Sequence, residues 1–209
     1  LSLILIIIMD SALFLPNEIL IIADLGVQID AIGIIISIYT IVNGISILVF
    51  GYLTDMIDRK KILIVAGILW SITAILHLFV EEFWQLILVR IVAAIAVSVT
   101  TTLVIYYFAD IISSDSRSKS FAFWGLVTNI GTLVAAVLAL AFNAVDFEAI
   151  PAIYITLTQK VGYIVLTYPD VLYTWRLPYF YLGIVALILT VFNYFLAIEP
   201  KRAAKEKHL

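Results

Sequence analysis

Cysteine is absent from the 209 residues, and charged residues make up only 13% of them. The missing thiols exclude a disulfide framework, a cysteine nucleophile and a cysteine-ligated metal. Hydrophobic residues make up 64% of the chain and the mean hydropathy is +1.16, which is more apolar side chain than one water-soluble core can bury. We therefore predict an integral membrane protein, and we expect neither a metal site nor a cofactor.

Sequence patterns of familiar enzymes are missing as well. The chain contains no His-Glu-x-x-His pattern, phosphate-binding loop, serine nucleophile elbow or glycine-rich dinucleotide turn. The basic C-terminal tail is short and is interrupted by Glu206, which is not typical of nucleic-acid binding. We expect neither an enzyme nor a nucleic-acid partner. Because Leu1 opens directly into an apolar run without a basic region, we expect a missing N-terminal stretch rather than a cleavable leader.

Long apolar runs divide the chain into membrane spans. A helix needs about 20 apolar residues to cross a bilayer, and the runs at 31–50 and 62–80 contain no Asp, Glu, Lys or Arg. We predict an all-α membrane protein in which residues 1–209 form a single transmembrane domain. Its six spans are predicted at residues 1–16, 31–50, 62–80, 83–108, 121–142 and 177–198.

Positive charges collect on one side of this six-span arrangement. The side with both ends of the chain carries most of the bases outside the spans, and the opposite side carries only Lys160 and Arg176. The bases of the first side are Arg59, Lys60, Lys61, Arg117, Lys119, Lys201, Arg202, Lys205 and Lys207. Loops rich in Lys and Arg stay in the cytoplasm. We therefore expect a plasma-membrane protein with both chain ends cytoplasmic.

Two external segments are predicted. Residues 17–30 contain acidic residues but no base, so they are expected to form an external loop, and Pro16 is expected to bend the first span near its outer end. Residues 143–176 are apolar in the middle but carry Lys160 at the centre, where a charge is costly in lipid. We predict an external insertion between the fifth and sixth helices, whose alternating pattern is typical of a small hairpin.

A short charged segment, residues 51–61, separates the second and third spans. It resembles a signature of the major facilitator superfamily, G-x-x-x-D-[RK]-x-G-[RK]-[RK]. Met56 replaces a base and Asp58 replaces a glycine, whereas the matching residues are Gly51, Asp55, Arg59 and Lys60. The resemblance implies a cytoplasmic gate at these residues. The alternative is a solvated loop whose bases only determine topology.

Three further segments resemble the same family. Arg90 and the residues after it are similar to the motif R-x-x-x-G, with Ala94 in place of the glycine. The segment Trp175-Arg176-Leu177-Pro178-Tyr179 is similar to W-R-x-P-[FY], and residues 199–202 resemble the start of the central cytoplasmic loop. The fifth span offers Asn129-Ile130-Gly131-Thr132 instead of the glycine-proline pattern of drug antiporters, which argues against drug efflux.

The resemblance implies a half-transporter. Its six helices would form two inverted three-helix repeats, the N-terminal half of a twelve-helix protein. The implied function is secondary active transport of a small organic solute by alternating access, coupled to protons. The partners would be the solute, a proton, the lipid bilayer and a C-terminal half from the same chain or a second copy. The alternatives are a drug efflux transporter and a non-transporting membrane component that binds or senses.

Two charges lie within the predicted spans. Asp10 is about 13 Å along a helix from Leu1, and Arg90 is about 10 Å from Phe83. Charges at such depth are costly unless paired or hydrated, so Asp10 is a candidate proton-coupling carboxylate. Arg90 would either hold it ionised or bind an anionic substrate group; a purely structural ion pair is the alternative.

Other polar residues of the spans are weaker candidates. Asn129 is a candidate substrate contact, although a hydrogen bond between helices would explain it equally well. His77 and Tyr179 lie near span ends and are expected at the membrane interface.

Overall fold

The structure, a computed structural model, describes residues 2–111, 114–143 and 175–196. Apart from one short 3-10 turn at His77–Phe79, its elements are α-helices: α1 Ser2–Leu25, α2 Ile29–Met56, α3 Arg59–Leu76, α4 Phe83–Ile111, α5 Ser114–Asn143 and α6 Arg176–Leu196. All six are long and apolar enough to cross a membrane. Helices satisfy every backbone polar group internally, as lipid requires. The predicted six-helix membrane fold is therefore confirmed. Nearly all of the predicted external insertion lies outside the described residues.

The first helix corrects one predicted boundary. It continues past Pro16 to Leu25, so most of the predicted external loop is helical. Proline removes one backbone donor, and the Asn17 side chain donates to the Leu13 carbonyl at 2.6 Å in the same turn. Membrane helices tolerate a proline because neighbouring helices and polar side chains compensate for the lost bond. Residues 17–25 therefore extend the first helix and do not form the predicted loop.

A glycine ends this helix. Gly26 has φ 62°, the left-handed conformation that favours glycine. The Val27 amide donates to the Ile22 carbonyl at 3.2 Å, which is the Schellman pattern of helix termination. Only Gly26 to Gln28 separate α1 from α2.

The segment between α2 and α3 is also more helical than predicted. Helix α2 runs to Met56 and α3 begins at Arg59, so the turn consists of Ile57 and Asp58. The hydropathy of a span marks only its lipid-immersed part, and the helices continue beyond it. Gly51 and Asp55 accordingly lie on the last turns of α2, and Arg59 and Lys60 on the first turn of α3.

Helix packing follows an internal symmetry. The most extensive contacts are those of α3 with α6 and of α2 with α4, followed by those of α1 with α5 and of α3 with α4. The inverted repeats would make α1 equivalent to α4, α2 to α5 and α3 to α6. Under this exchange the α2–α4 contact becomes the α1–α5 contact, and the α3–α6 contact is unchanged. Because each repeat has an odd number of spans, the two repeats run through the membrane in opposite directions. This is the arrangement of inverted repeats.

Small residues bring α3 and α6 close together. A Cβ added at Gly183 would lie 3.0 Å from the Ala74 Cβ and 3.1 Å from the Ile75 backbone nitrogen. Membrane helices approach in this way because van der Waals packing, rather than exclusion of water, drives their association. The α3–α6 seam is therefore tightly packed.

Two helices are much less buried by the rest of the bundle than the others. Helices α2 and α5 leave large apolar side chains exposed along their length, among them Ile41 and Leu48 on α2 and Leu133 and Leu140 on α5. By the repeat symmetry these are equivalent helices. The exposed faces are available to lipid or to another protein surface.

Candidate functional site

An ion pair between α1 and α4 lies at the centre of the bundle. Arg90 Nη1 is 2.9 Å from Asp10 Oδ2, and the two side chains are only 3% and 1% exposed. Isolated charges are not tolerated at such burial, so the two groups depend on each other. The structure thus brings together the two candidates that sequence analysis selected for their charge.

Both oxygens of the Asp10 carboxylate are engaged. While Oδ2 accepts from Arg90, Oδ1 accepts from Trp70 Nε1 of α3 at 3.2 Å. Trp70 is fully buried. A single carboxylate of α1 therefore connects this helix to α3 and α4.

Arg90 has aromatic partners as well as charged ones. Its Nη2 donates to the Tyr179 hydroxyl of α6. The guanidinium carbon lies 4.1 Å from the centre of the Phe14 ring and 5.0 Å from that of Tyr179. Aromatic faces stabilise cations, most strongly where water is excluded. These contacts keep the guanidinium in a fixed position.

A cavity of about 190 Å³ lies beside the ion pair. Its lining combines the Arg90 guanidinium with hydroxyl groups and apolar side chains: Ser11, Phe14, Leu15, Ile35, Ile36, Tyr39 and Thr40. The Ser11 hydroxyl donates to the Tyr39 hydroxyl at 3.2 Å. Pockets for drug-sized ligands measure about 300–1,000 Å³, so this cavity is the size of part of such a site.

Asn129 lies elsewhere. It is exposed on α5, and its Nδ2 donates to the Gly125 carbonyl of the same helix at 2.7 Å. Among the described residues this bond is local, and it joins Asn129 to neither Asp10 nor Arg90. The structure therefore separates Asn129 from the other two candidates.

The charged segment of the sequence forms a second cluster at the α2–α3 turn. Arg59 is buried, with its guanidinium carbon 4.9 Å from the centre of the Tyr106 ring of α4. The Tyr106 hydroxyl donates to the Gly51 carbonyl at 3.1 Å, and Lys60 lies 5.8 Å from the Tyr194 ring of α6. Three of the four predicted gate residues thus contact other helices. The side chain of the fourth, Asp55, lies outside the described part of the structure.

The prediction that His77 and Tyr179 are interfacial is wrong. Both are fully buried, and their rings stack with centroids 4.2 Å apart and planes 6° apart. Each residue lies near a helix end, which is why an interfacial position was expected. Hydropathy gives the depth of a residue along its helix but not the direction in which the side chain points.

A second buried ion pair lies at the opposite end of the bundle from the α2–α3 turn. Arg176 Nη2 is 2.6 Å from Asp24 Oδ2, and the same oxygen accepts from Trp175 Nε1 at 2.9 Å. Arg176 Nη2 also donates to the Val80 carbonyl at 2.5 Å. The cluster ties the end of α1 to the start of α6 and to the segment between α3 and α4. Sequence analysis missed it because residues 17–30 were predicted to be a loop.

Comparisons with known proteins agree on one family. A family model described as Major Facilitator Superfamily matches residues 1–208. The chain is 30% identical over 112 residues to a D-xylose transporter of Levilactobacillus brevis, covering 50% of this chain and 24% of the relative. It is 26% identical over 99 residues to the arabinose-proton symporter of Bacillus subtilis, covering 47% of this chain and 21% of the relative.

A solved structure has the same fold. It is a bacterial homologue of the human lysosomal transporter spinster, in an inward-facing and occupied conformation. The TM-score is 0.73 at 16% identity, over 97% of this chain and 43% of the other. The chain therefore spans less than half the length of the relatives it matches.

The Asp24–Arg176 contact is expected to stabilise the fold measurably. In a double-mutant cycle of Asp24→Asn and Arg176→Met, we expect a coupling energy of about 0.5–3 kcal/mol, because breaking a buried pair leaves a desolvated charge. The measurement is unfolding of the purified protein by SDS in mixed micelles. Asp58→Asn with Lys61→Met is the matched control, since this pair has the same 2.6 Å separation but side chains 52% and 75% exposed. Equal coupling in the two cycles would contradict the assignment.

Proposed function

This chain belongs to the major facilitator superfamily, a family of membrane transporters, and from that premise we propose that it moves a small organic solute by proton-coupled alternating access. The observation that supports the proposal is the buried Asp10–Arg90 pair beside a cavity. A carboxylate and a guanidinium at this depth are costly in a merely structural bundle. A transporter that couples to protons needs a carboxylate in this kind of environment.

The ion pair offers a simple coupling step. While Asp10 is ionised, it holds Arg90 and accepts from Trp70, so α1 is tied to α3 and α4. A proton on Asp10 removes the negative charge and weakens these bonds. Arg90 then becomes available to an anionic or polar group in the adjacent cavity. Protonation and solute binding would thereby favour the same rearrangement, which is what coupling requires.

The proposed solute class rests on the relatives. One is named as a D-xylose transporter and another as an arabinose-proton symporter, which favours solute import with a proton over drug efflux. Asn129 would contact solute only from the exposed side of α5, where its side chain lies. A non-transporting role predicts no uptake of any solute.

A second six-helix half is the proposed partner. The exposed apolar faces of α2 and α5 can be covered by lipid or by such a half, and the relatives are more than twice as long as the matched region. The partner would come from the same chain or from a second copy, which the intact mass of the native protein distinguishes.

The cluster at the α2–α3 turn is proposed as the cytoplasmic gate. Arg59 packs against Tyr106, and the Tyr106 hydroxyl bonds to Gly51, so the cluster joins α2, α3 and α4. Contacts of this kind are made in one state of the transporter and broken in another. Their strength therefore sets the balance between the two states.

Asp10→Asn is expected to remove the pH dependence of uptake, because an amide cannot exchange a proton in this range. The measurement is uptake of radiolabelled D-xylose and L-arabinose by the complete protein in proteoliposomes across a pH series, with and without a pH gradient. Asp58→Asn, which changes an exposed carboxylate, is the control. Unchanged pH dependence in Asp10→Asn would remove Asp10 from the mechanism, and no uptake of either sugar by the unchanged protein would favour a different solute or a non-transporting role.

Arg59→Lys is expected to lower the maximal uptake rate by roughly two- to tenfold, the size of effect that a lost cation–π contact produces. Lysine keeps the charge but lacks the planar guanidinium that lies over Tyr106. Lys61→Arg is the control, because Lys61 is 75% exposed. A rate equal to that of the control would show that the Arg59 contact has no part in gating.

The proposed orientation places the α2–α3 turn and both chain ends in the cytoplasm of a plasma-membrane protein. Since this chain has no cysteine, Lys61→Cys and Glu81→Cys each introduce the only thiol within it. An impermeant maleimide applied to intact cells is expected to label Glu81→Cys, and Lys61→Cys only after permeabilisation. Labelling of both positions from one side would overturn the six-span topology, and no labelling of intact cells would indicate an internal membrane.

A further inference from the structure

Protonation of Asp10 removes the counter-ion of the buried Arg90 guanidinium. The guanidinium is 3% exposed, and a buried cation without a counter-ion is strongly destabilising. Its Nε has no hydrogen-bond partner among the described residues. Proton uptake at Asp10 is therefore only as easy as the remaining partners of Arg90 allow.

We propose that the Tyr179 hydroxyl, held in place by its stack on His77, is the group that retains Arg90 when Asp10 takes up a proton, and that it thereby sets the pH at which Asp10 changes charge. Tyr179 and His77 are positioning residues in this proposal, because they act through Arg90. The inference rests on the proposed function of Asp10 as the proton-coupling carboxylate.

The geometry at Arg90 supports this role. Nη1 donates to Asp10, whereas Nη2 donates to Tyr179, so the two acceptors engage different nitrogens and one bond survives the loss of the other. The Tyr179 ring adds a cation–π contact at 5.0 Å from the guanidinium carbon. Tyr179 thus stabilises the cation by its hydroxyl oxygen and by its ring face.

The surroundings of Tyr179 prevent its ring from moving away. The His77 imidazole stacks on the Tyr179 ring with centroids 4.2 Å apart. Trp175 contacts His77 edge-on, with ring centroids 6.2 Å apart. His77 Nδ1 lies 2.8 Å from the Thr73 carbonyl one turn earlier in α3. Stacked rings and a bonded imidazole give Tyr179 a single position.

The ion pair at the helix ends fixes the same region from the other side. Arg176 lies on the first turn of α6, three residues before Tyr179, and contacts Asp24 at 2.6 Å and the Val80 carbonyl at 2.5 Å. Val80 follows His77 by three residues. The cluster that joins α1 and α6 to the segment between α3 and α4 therefore lies three residues along the chain from each ring of the stack.

Several titratable groups face the ion pair from the surrounding helices. They are Tyr39 of α2, His77 of the 3-10 turn after α3, and Tyr179 of α6. Helix α5 presents Gly131, where an added Cβ would lie 3.6 Å from Met9 of α1. Tyr179 is the one among these groups whose oxygen accepts from Arg90 in the described structure.

Loss of the Tyr179 hydroxyl is expected to destabilise the protein with protonated Asp10 more than the protein with ionised Asp10. With Asp10 ionised, Arg90 keeps a full negative charge beside it after Tyr179→Phe. With Asp10 protonated, the same substitution leaves a buried cation with aromatic faces alone. The protonated state is destabilised more, so Asp10 would take up its proton at a lower pH. A hydrogen bond to a charged group corresponds to a shift of about one pH unit.

The experiment measures Asp10 directly and needs no solute. The infrared band of the protonated carboxyl group is titrated with pH in the purified complete protein, and the contribution of Asp10 is assigned by subtracting the spectrum of Asp10→Asn. Tyr179→Phe is expected to shift the midpoint of this band by about one unit to lower pH. Tyr181→Phe is the matched control, because it removes the same hydroxyl from an exposed ring on the same helix.

Two further variants separate the hydroxyl from the imidazole. His77→Phe keeps a ring against Tyr179 and is expected to leave the midpoint unchanged, whereas His77→Ala removes the stack and is expected to give a smaller shift in the same direction as Tyr179→Phe. A shift in His77→Phe as large as that in Tyr179→Phe would overturn the assignment to the hydroxyl. So would a midpoint in Tyr179→Phe equal to that of Tyr181→Phe.

The experiment distinguishes failure of the proposed function of Asp10 from failure of the inference about Tyr179. If the Asp10→Asn difference spectrum contains no titrating carboxyl band, the proposed function fails and this inference falls with it. If the band is present and Tyr179→Phe does not move it, the inference alone is wrong and Asp10 keeps its proposed role. His77→Ala supplies the same comparison should Tyr179→Phe fail to fold.

Discussion

The structure depends on the pairing of charges in its buried interior. Asp10 and Arg90 come from α1 and α4, which belong to different repeats, and neither is tolerable in the bundle without the other. Trp70 and Tyr179 extend the contact to α3 and α6. One carboxylate thereby determines the relative position of four helices. Removal or neutralisation of its charge weakens the bonds to Arg90 and Trp70, whereas the bond between Arg90 and Tyr179 does not involve the carboxylate.

The second ion pair has the same chemistry but a different setting. Asp24 and Arg176 lie at helix ends, where Trp175 and the Val80 carbonyl also bond to them. The cavity beside Arg90 is lined by neither Asp24 nor Arg176. Similar salt bridges can therefore serve different purposes, and the space next to each indicates which. The inner pair lies beside a cavity, and the outer pair joins helix ends.

Much of the fold was predictable because lipid imposes simple rules. Charge-free runs such as 31–50 predict helices, and the depth of Asp10 and Arg90 identified both as candidates. The ends of the helices were not predictable in this way, since α1 continues past Pro16 to Leu25. The partners of the ion pair were missed for another reason. Trp70, His77 and Tyr179 are uncharged aromatic residues whose burial depends on helix rotation, which hydropathy does not report.

The closeness of α3 and α6 has a mechanical consequence. At Gly183 the two backbones are separated by little more than the Cβ of Ala74 and the main chain at Ile75, so neither helix can slide or rotate against the other without a collision. Between them these helices connect the two repeats into one stiff unit. Displacement of these two helices against each other is therefore opposed at this seam, whereas α2 and α5, which pack least within the bundle, are less constrained.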